Sequence, residues 1–434
     1  MKTVRRVLVA SAAAALTVGL AACGTAAAPS TQPTELSTEP VTLRMTWWGG
    51  DGRHKLTQEV IDLFESKYEN ITVQPEFTDW TGYWDKLATA TAGGNAPDIM
   101  QMDQLYLASY AERETLADLG KLSQIETAGL DPAVLNMGKT AGGLYGLPIS
   151  ATGLGVLVNL DLLEDLKIDL PDDSTWTWED YGQWTKSISD ASGGSVQGST
   201  IGWNEFHLQL FARQHGDKLF ADGGIAIKPE TLAKYFQYNL DWVNSGAAPS
   251  ATLLSERINL PTDQLDFTLG KGATLFVPST MITPHTNAMN GANLALLELP
   301  RPAGTEVGWE YLKPGMYWSV SSRSEHPAEA ALLVNFLVND PDAAKILGVE
   351  RGIPANSGAL DAIRDSLTAP ELKAVDFAKS LELGEAPSIV PTGASEIQSV
   401  LQRYSLEVVL EQKTPIEAAE ALIAEIDSAI KSAK

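Results

Sequence analysis

Three short stretches gather the residue types that hold polar ligands: "WWGGDGRH" at 47–54, "FTDWTGYW" at 77–84 and "MQMDQLY" at 100–106. Each sets aromatic rings beside carboxylates, amides or a guanidinium. Rings cover flat apolar faces at small conformational cost, carboxylates accept hydrogen bonds strongly, and amides both donate and accept. The candidates are Trp47, Trp48, Asp51, Arg53, Asp79, Trp80, Tyr83, Asp103 and Gln104. Gly49 and Gly50 would let backbone N–H groups approach a ligand oxygen with no Cβ in the way. Each side chain also has a structural alternative. Alternation in "LRMTWW" puts Trp47 with Leu43 and Met45, so it reads as core, and turns Trp48 the other way. Arg53 can pair with Asp51 at a helix start, and Asp51, Asp79 and Asp103 can each cap the helix that follows. Trp84, on an amphipathic helix beside Leu87, reads as core.

These stretches sit where the elements change. "VTLRMTWW", "ITVQPEF" and "PDIMQMD" are rich in β-formers. "KLTQEVIDLFESKY", "YWDKLATATAGG" and "QLYLASYAERETLADL" carry apolar residues at helical spacing. Strand, helix, strand, helix, strand predicts an α/β sheet with parallel neighbours, whose ligands gather beyond the carboxyl ends of the strands. The three stretches are those loops. Further along, "LYGLPISATGLGVLVNLDLL" is an apolar crossing, and 187–200 reads as an exposed polar loop. "GATLFVPST" and "GMYWSVSS" read as strands. The tail from Glu396 reads as helical throughout.

The chain has 434 residues, too many for one ordinary domain, so two lobes are expected. Its formal net charge of −24 repels phosphate backbones, and no basic run offsets it, so nucleic-acid binding is disfavoured. Catalytic signals are absent. The five histidines show no HExxH spacing, and there is no GxSxG, P-loop or GxGxxG motif. Carboxylates are so plentiful that counting cannot dismiss a glycosidase pair. No metal site, catalytic residue or cofactor is expected.

The first 22 residues are a basic head, "MKTVRR", followed by an apolar run of signal-peptide length. Leu20-Ala21-Ala22-Cys23-Gly24 resembles a bacterial lipobox, and Cys23 is the only cysteine. The resemblance implies cleavage before Cys23, a diacylglycerol on its sulfur and anchoring to the outer face of the cytoplasmic membrane. The alternative is ordinary secretion with a stray cysteine. Residues 24–40 have three prolines and almost no large apolar side chains, which predicts a flexible tether.

The order of "WWGGDGRH…IDLFE", "GNAPDIMQMDQ", "LYGLPISATGLGVLVNLDLL", "GMYWSVSSRSEHPAEAALLVNFLVNDP" and "RGIPAN" along the chain is similar to that of the extracellular solute-binding lipoproteins (family 1) that serve ATP-driven carbohydrate importers. The resemblance implies a two-lobed periplasmic-binding-protein-like fold of type II, with a hinge and discontinuous lobes. Lobe 1 would be 41–150 with 303–355, and lobe 2 would be 151–302 with 356–434. A sugar, expected to be an oligosaccharide, would be trapped between them and handed to permease subunits by a monomeric receptor.

A glycan needs acceptors and donors for its hydroxyl rim and rings for its faces. On that basis Trp48, Gly49, Gly50, Arg53, Asp79, Trp80, Tyr83, Asp103 and Gln104 would form one wall. Thr152 and Ser150 lie in the crossing. Trp203, Asn204 and Glu205 ("GWNEFH"), with Ser279 and Thr280 at a strand end, would form the facing wall. Tyr317 and Trp318 point to opposite faces, so one of them at most would line the cleft, and Arg351 would be either a lip residue or a solvated one. The rival readings are a surface glycan-degrading hydrolase or lyase, and a receptor for a peptide or polyamine.

Overall fold

The structure, a computed structural model, describes residues 35–257 and 260–433. The leader, Cys23 and most of the tether lie outside them. Strand β1 (Val41–Trp48) is followed by helix α1 (Asp51–Lys67), β2 (Ile71–Thr78), α2 (Trp80–Ala92), β3 (Ile99–Met102) and α3 (Gln104–Glu112). β1 pairs in parallel with both β2 and β3, with Trp47 opposite Phe77 and Thr46 opposite Met100. Strand Tyr317–Val320 returns antiparallel beside β3 and leads to Leu147–Pro148 at the far edge. The carboxyl ends of the three parallel strands therefore fall at one edge of the sheet.

Both faces of this sheet are covered. The alternation in β1 sends Val41, Leu43, Met45 and Trp47 into a core with Val60, Ile61 and Phe64 of α1 and with helix Pro327–Asn339. Trp48 goes to the other face, with Tyr83 and Leu87 of α2 and Leu107 of α3. The tryptophan pair that opens the first loop is thus split between two cores, as the alternation predicts.

A second sheet has Leu154–Asn159 at its centre, with Thr274–Pro278 and Leu294–Leu297 antiparallel on either side. A large core joins it to helices Trp178–Ala191, Glu205–Gln214, Pro229–Ser245, Ile397–Val409 and Pro415–Ala433. A smaller core includes Leu157, Ile282, Ala374 and Val375. Together the two sheets make the two-lobed α/β fold expected from the sequence.

Three segments run side by side between the sheets. Ile149 N–H donates to Met316 O, Ala151 N–H to Ile353 O, Gly315 N–H to Ser150 O and Ala355 N–H to Ile149 O. Thr152 pairs with Lys313 and Ser150 with Pro354.

Three expected elements differ. α3 stops at Glu112, because Thr115 turns back to Tyr110 O and Ala117 N–H joins Val320 O at the first sheet. Residues 187–191 belong to helix Trp178–Ala191 rather than to an exposed loop, and Ser189 and Ser199 are buried. The C-terminal tail is two helices, broken at Glu411, which takes a left-handed conformation (φ 56°).

Candidate functional site

The loops at the ends of β1, β2 and β3 bring an aromatic cluster together. Trp48 meets Trp80 edge-on, with centroids 5.0 Å apart at 85°, and meets Tyr83 at 5.1 Å. Trp84 stacks on Tyr106 at 3.8 Å. Trp80 keeps 41% of its surface exposed, whereas Trp48 and Tyr83 are buried. The Tyr83 hydroxyl is committed to Gln101 O at 2.5 Å, so within this cluster Trp80 offers the free ring face. Asp79 and Asp103 cap α2 and α3, each accepting a backbone N–H at 2.9 Å, from Gly82 and Leu105. Each cap leaves carboxylate capacity over.

Beside this cluster, against Met316, lies a cavity of about 440 Å³, within the size range of small-molecule sites. The crossing segments contribute Ser150, Thr152, Gly315, Gly352 and Ile353 to it. Arg53, Glu350 and Arg351 line the side of the first sheet, and Pro278, Thr280, Met281 and Thr283 line the side of the second.

Arg53 does not pair with Asp51. Its Nε lies 2.9 Å from both Glu350 carboxylate oxygens, and its Nη1 donates to Trp48 O at 3.1 Å. Asp51 does not cap α1 either, since Gly50 occupies the cap position without a side chain. Gly49 is held by geometry: a Cβ there would fall 2.4 Å from Arg53 Cδ. Its N–H is already spent on Thr78 O, so it is not free for a ligand.

Arg351 is buried rather than at a solvated lip. It donates to Gln101 Oε1 at 3.1 Å and to Thr57 Oγ1 at 2.8 Å, and lies 5.4 Å over the Trp318 ring. Burial, and then the neighbouring Arg53 charge, push its guanidinium down to about 9.

A second polar group lies at the junction of the sheets. Lys313, on a crossing segment, pairs with Glu205 at 2.8 Å, and Asp103 approaches the same ammonium. Burial pushes the Asp103 carboxyl up, and burial disfavours the Lys313 charge, but Glu205 and Asp103 outweigh that and leave Lys313 raised. Glu205 Oε1 and both amide atoms of Gln104 are buried without a hydrogen-bond partner. Such orphaned groups in a native fold call for a ligand or water.

The remaining candidates separate. Thr152 and Ser279 are buried with their hydroxyls 3.1 Å apart, and Ser150 and Thr280 line the cavity. Asn204 caps its helix by accepting from His207 N. Trp203 lines a smaller, separate pocket with Pro249 and Phe267. Tyr317 and Trp318 are both enclosed: Tyr317 donates to Met137 O, Trp318 packs in the first core, and neither faces open space. Met316, Lys313 and Glu350 were not singled out in the sequence. The only signal was Glu350's place beside Arg351.

The family model for bacterial extracellular solute-binding proteins matches residues 59–374. An uncharacterized lipoprotein in the oleD 5′ region of Streptomyces antibioticus is 28% identical over 154 residues, which are 35% of this chain and 34% of that protein's length. The family 1 extracellular solute-binding protein of Alicyclobacillus acidocaldarius superposes with TM-score 0.72 at 28% identity, covering 91% of this chain and 100% of that one. A periplasmic oligogalacturonide-binding protein of Yersinia enterocolitica, in complex with saturated digalacturonic acid, superposes with TM-score 0.75 at 26% identity, covering 91% and 99%. With the family model matching most of its length, and with two covered sheets facing each other across a cavity at three crossing segments, this chain belongs to the bacterial extracellular solute-binding proteins.

Proposed function

We propose that this protein captures an oligosaccharide between its two lobes and delivers it to the permease of an ATP-driven importer. The observation that carries the reading is the cavity of about 440 Å³ with walls from both sheets, which adjoins the aromatic cluster through Met316. Trp80, backed by the buried Trp48, would cover a sugar face, while Arg53, Asp79, Asp103, Gln104, Thr152 and Glu205 would address hydroxyls. The similarity to a protein solved with digalacturonic acid supports a sugar as cargo.

The crossing segments near 150, 314 and 353 would divide the chain into lobe 1, 41–150 with 303–355, and lobe 2, 151–302 with 356–434. A ligand touching both walls stabilises the closed arrangement, so binding would shift the population from open to closed, and the closed form would be the one the permease reads. Cleavage before Cys23 and lipidation there would hold the protein on the outer face of the cytoplasmic membrane, as a monomer with no cofactor.

The test is calorimetry and thermal shift of the purified protein against neutral and acidic oligosaccharides, with product formation followed in parallel. Saturable binding without turnover is expected. Turnover would overturn the reading, and so would saturation by peptides or polyamines alone.

A further inference from the structure

Two guanidinium groups in the cavity wall share one carboxylate. Glu350 is placed on the Arg53 Nε, with both oxygens at 2.9 Å, and reaches the Arg351 Nη1 only at 3.6 Å. The other carboxylate in the wall, Glu371, is occupied by the Thr368 N–H at 2.7 Å. The Arg53 side chain is 13% exposed and that of Arg351 is 4%, so neither charge is well screened by water. With Glu371 also in the wall, two guanidiniums face two carboxylates, and of the two acids Glu350 is the one in ion-pair contact with them. The Arg53 charge adds to burial in pushing the Arg351 guanidinium down to about 9. The seat that Glu350 takes on Arg53, with both oxygens 2.9 Å from Nε, is therefore a binding position for a carboxylate.

We propose that the Arg53–Arg351 pair receives the carboxylate of a uronate-bearing sugar, and that Glu350 is the stand-in which that carboxylate displaces. The inference rests on the sugar-capture reading and names the chemical class of the sugar. A planar guanidinium grips a carboxylate through two parallel N–H groups, whereas a neutral hydroxymethyl at the same place offers one acceptor and no charge. Glu350 has the reach to act as a stand-in: its side chain is 24% exposed and can swing toward solvent when a guest arrives.

The test measures affinity for digalacturonate and dimannuronate against their neutral counterparts, galactobiose and mannobiose, with succinate as a free acid. One uronate dimer should bind at least about tenfold tighter than its neutral counterpart at low salt, with the margin shrinking as salt rises. Arg53→Met should abolish that margin. Glu350→Gln, which removes the competitor, should strengthen uronate binding and raise the ratio of uronate to neutral-sugar affinity.

Equal or better binding of a neutral dimer overturns the inference and leaves sugar capture standing. Weaker uronate binding in E350Q overturns it too, because Glu350 would then be a ligand contact. Succinate binding as tightly as the uronates assigns the pair to free acids and removes it. No binding by any sugar of the panel counts against both readings, and binding of other glycans from the wider screen then restores capture alone.

Discussion

The Lys313 ammonium lies 2.8 Å from the Glu205 carboxylate, tying a crossing segment to a helix packed in the core of the second sheet. The Glu205 side chain is 3% exposed, and its other oxygen has no partner. Lys313→Met should therefore destabilise the protein by about 3–5 kcal/mol in urea titration, because a buried carboxylate loses its counter-charge. Lys313→Met with Glu205→Gln should cost less than Lys313→Met alone. A double variant no better than the single one would show that the pair is not the source of the loss.

Gln104 separates binding from stability. Both of its amide atoms are enclosed without partners, so Gln104→Leu removes orphaned polar groups and should leave the melting temperature equal or higher. Sugar-induced stabilisation should disappear in the same variant. Full retention of that stabilisation would take Gln104 out of the site.

Trp80 makes a related prediction at the surface. With 41% of it exposed, Trp80→Ala should cost about 1 kcal/mol or less of intrinsic stability. It should nevertheless weaken sugar binding at least about tenfold, measured by calorimetry, through loss of the stacking face.

Gly49→Ala probes the placement of Arg53. The added methyl would meet Arg53 Cδ at 2.4 Å and push the guanidinium off Glu350 and Trp48 O. Ligand affinity should fall with the fold intact by circular dichroism. The same substitution at Gly50, where a Cβ meets nothing within 4 Å, should be silent.

Glu310 predicts a pH dependence. Burial, and then the Glu298 charge, push its carboxyl up to about 8, against a hydrogen bond from the Glu382 backbone and the Arg301 charge. The folded state thus holds a proton that the unfolded chain releases near 4.5. Stability from this group is complete below about 4.5, falls as pH rises and is fully lost above about 8. Glu310→Gln should melt higher than the native protein at pH 8.5, and the difference should shrink toward pH 5. A gap independent of pH would assign Glu310 no such role.

Much of the first sheet could be read locally. Alternation in Val41–Trp48 separates Trp47 from Trp48, and the turn of composition after each strand marks the three loops. The caps at Asp79 and Asp103 could be read as well, since a carboxylate before a helical run is a local signal. The partners that complete the site could not. Glu350 meets Arg53 across 297 positions and Lys313 meets Glu205 across 108, and both contacts exist only once the crossing segments are laid side by side. The enclosure of Tyr317 and Trp318 was hidden for the same reason: a two-residue period shows that they face apart, but not that both faces of the sheet are covered.

The large core of the second sheet draws Leu154, Val156 and Val158 together with Leu401, Leu422 and Ile430. Its central strand lies far ahead in sequence of the helices that shield it, Ile397–Val409 and Pro415–Ala433. The apolar flank of that sheet is therefore covered only when these distant helices dock. A chain cut before Ile397 would leave the flank bare and become a substrate for holdases and proteases.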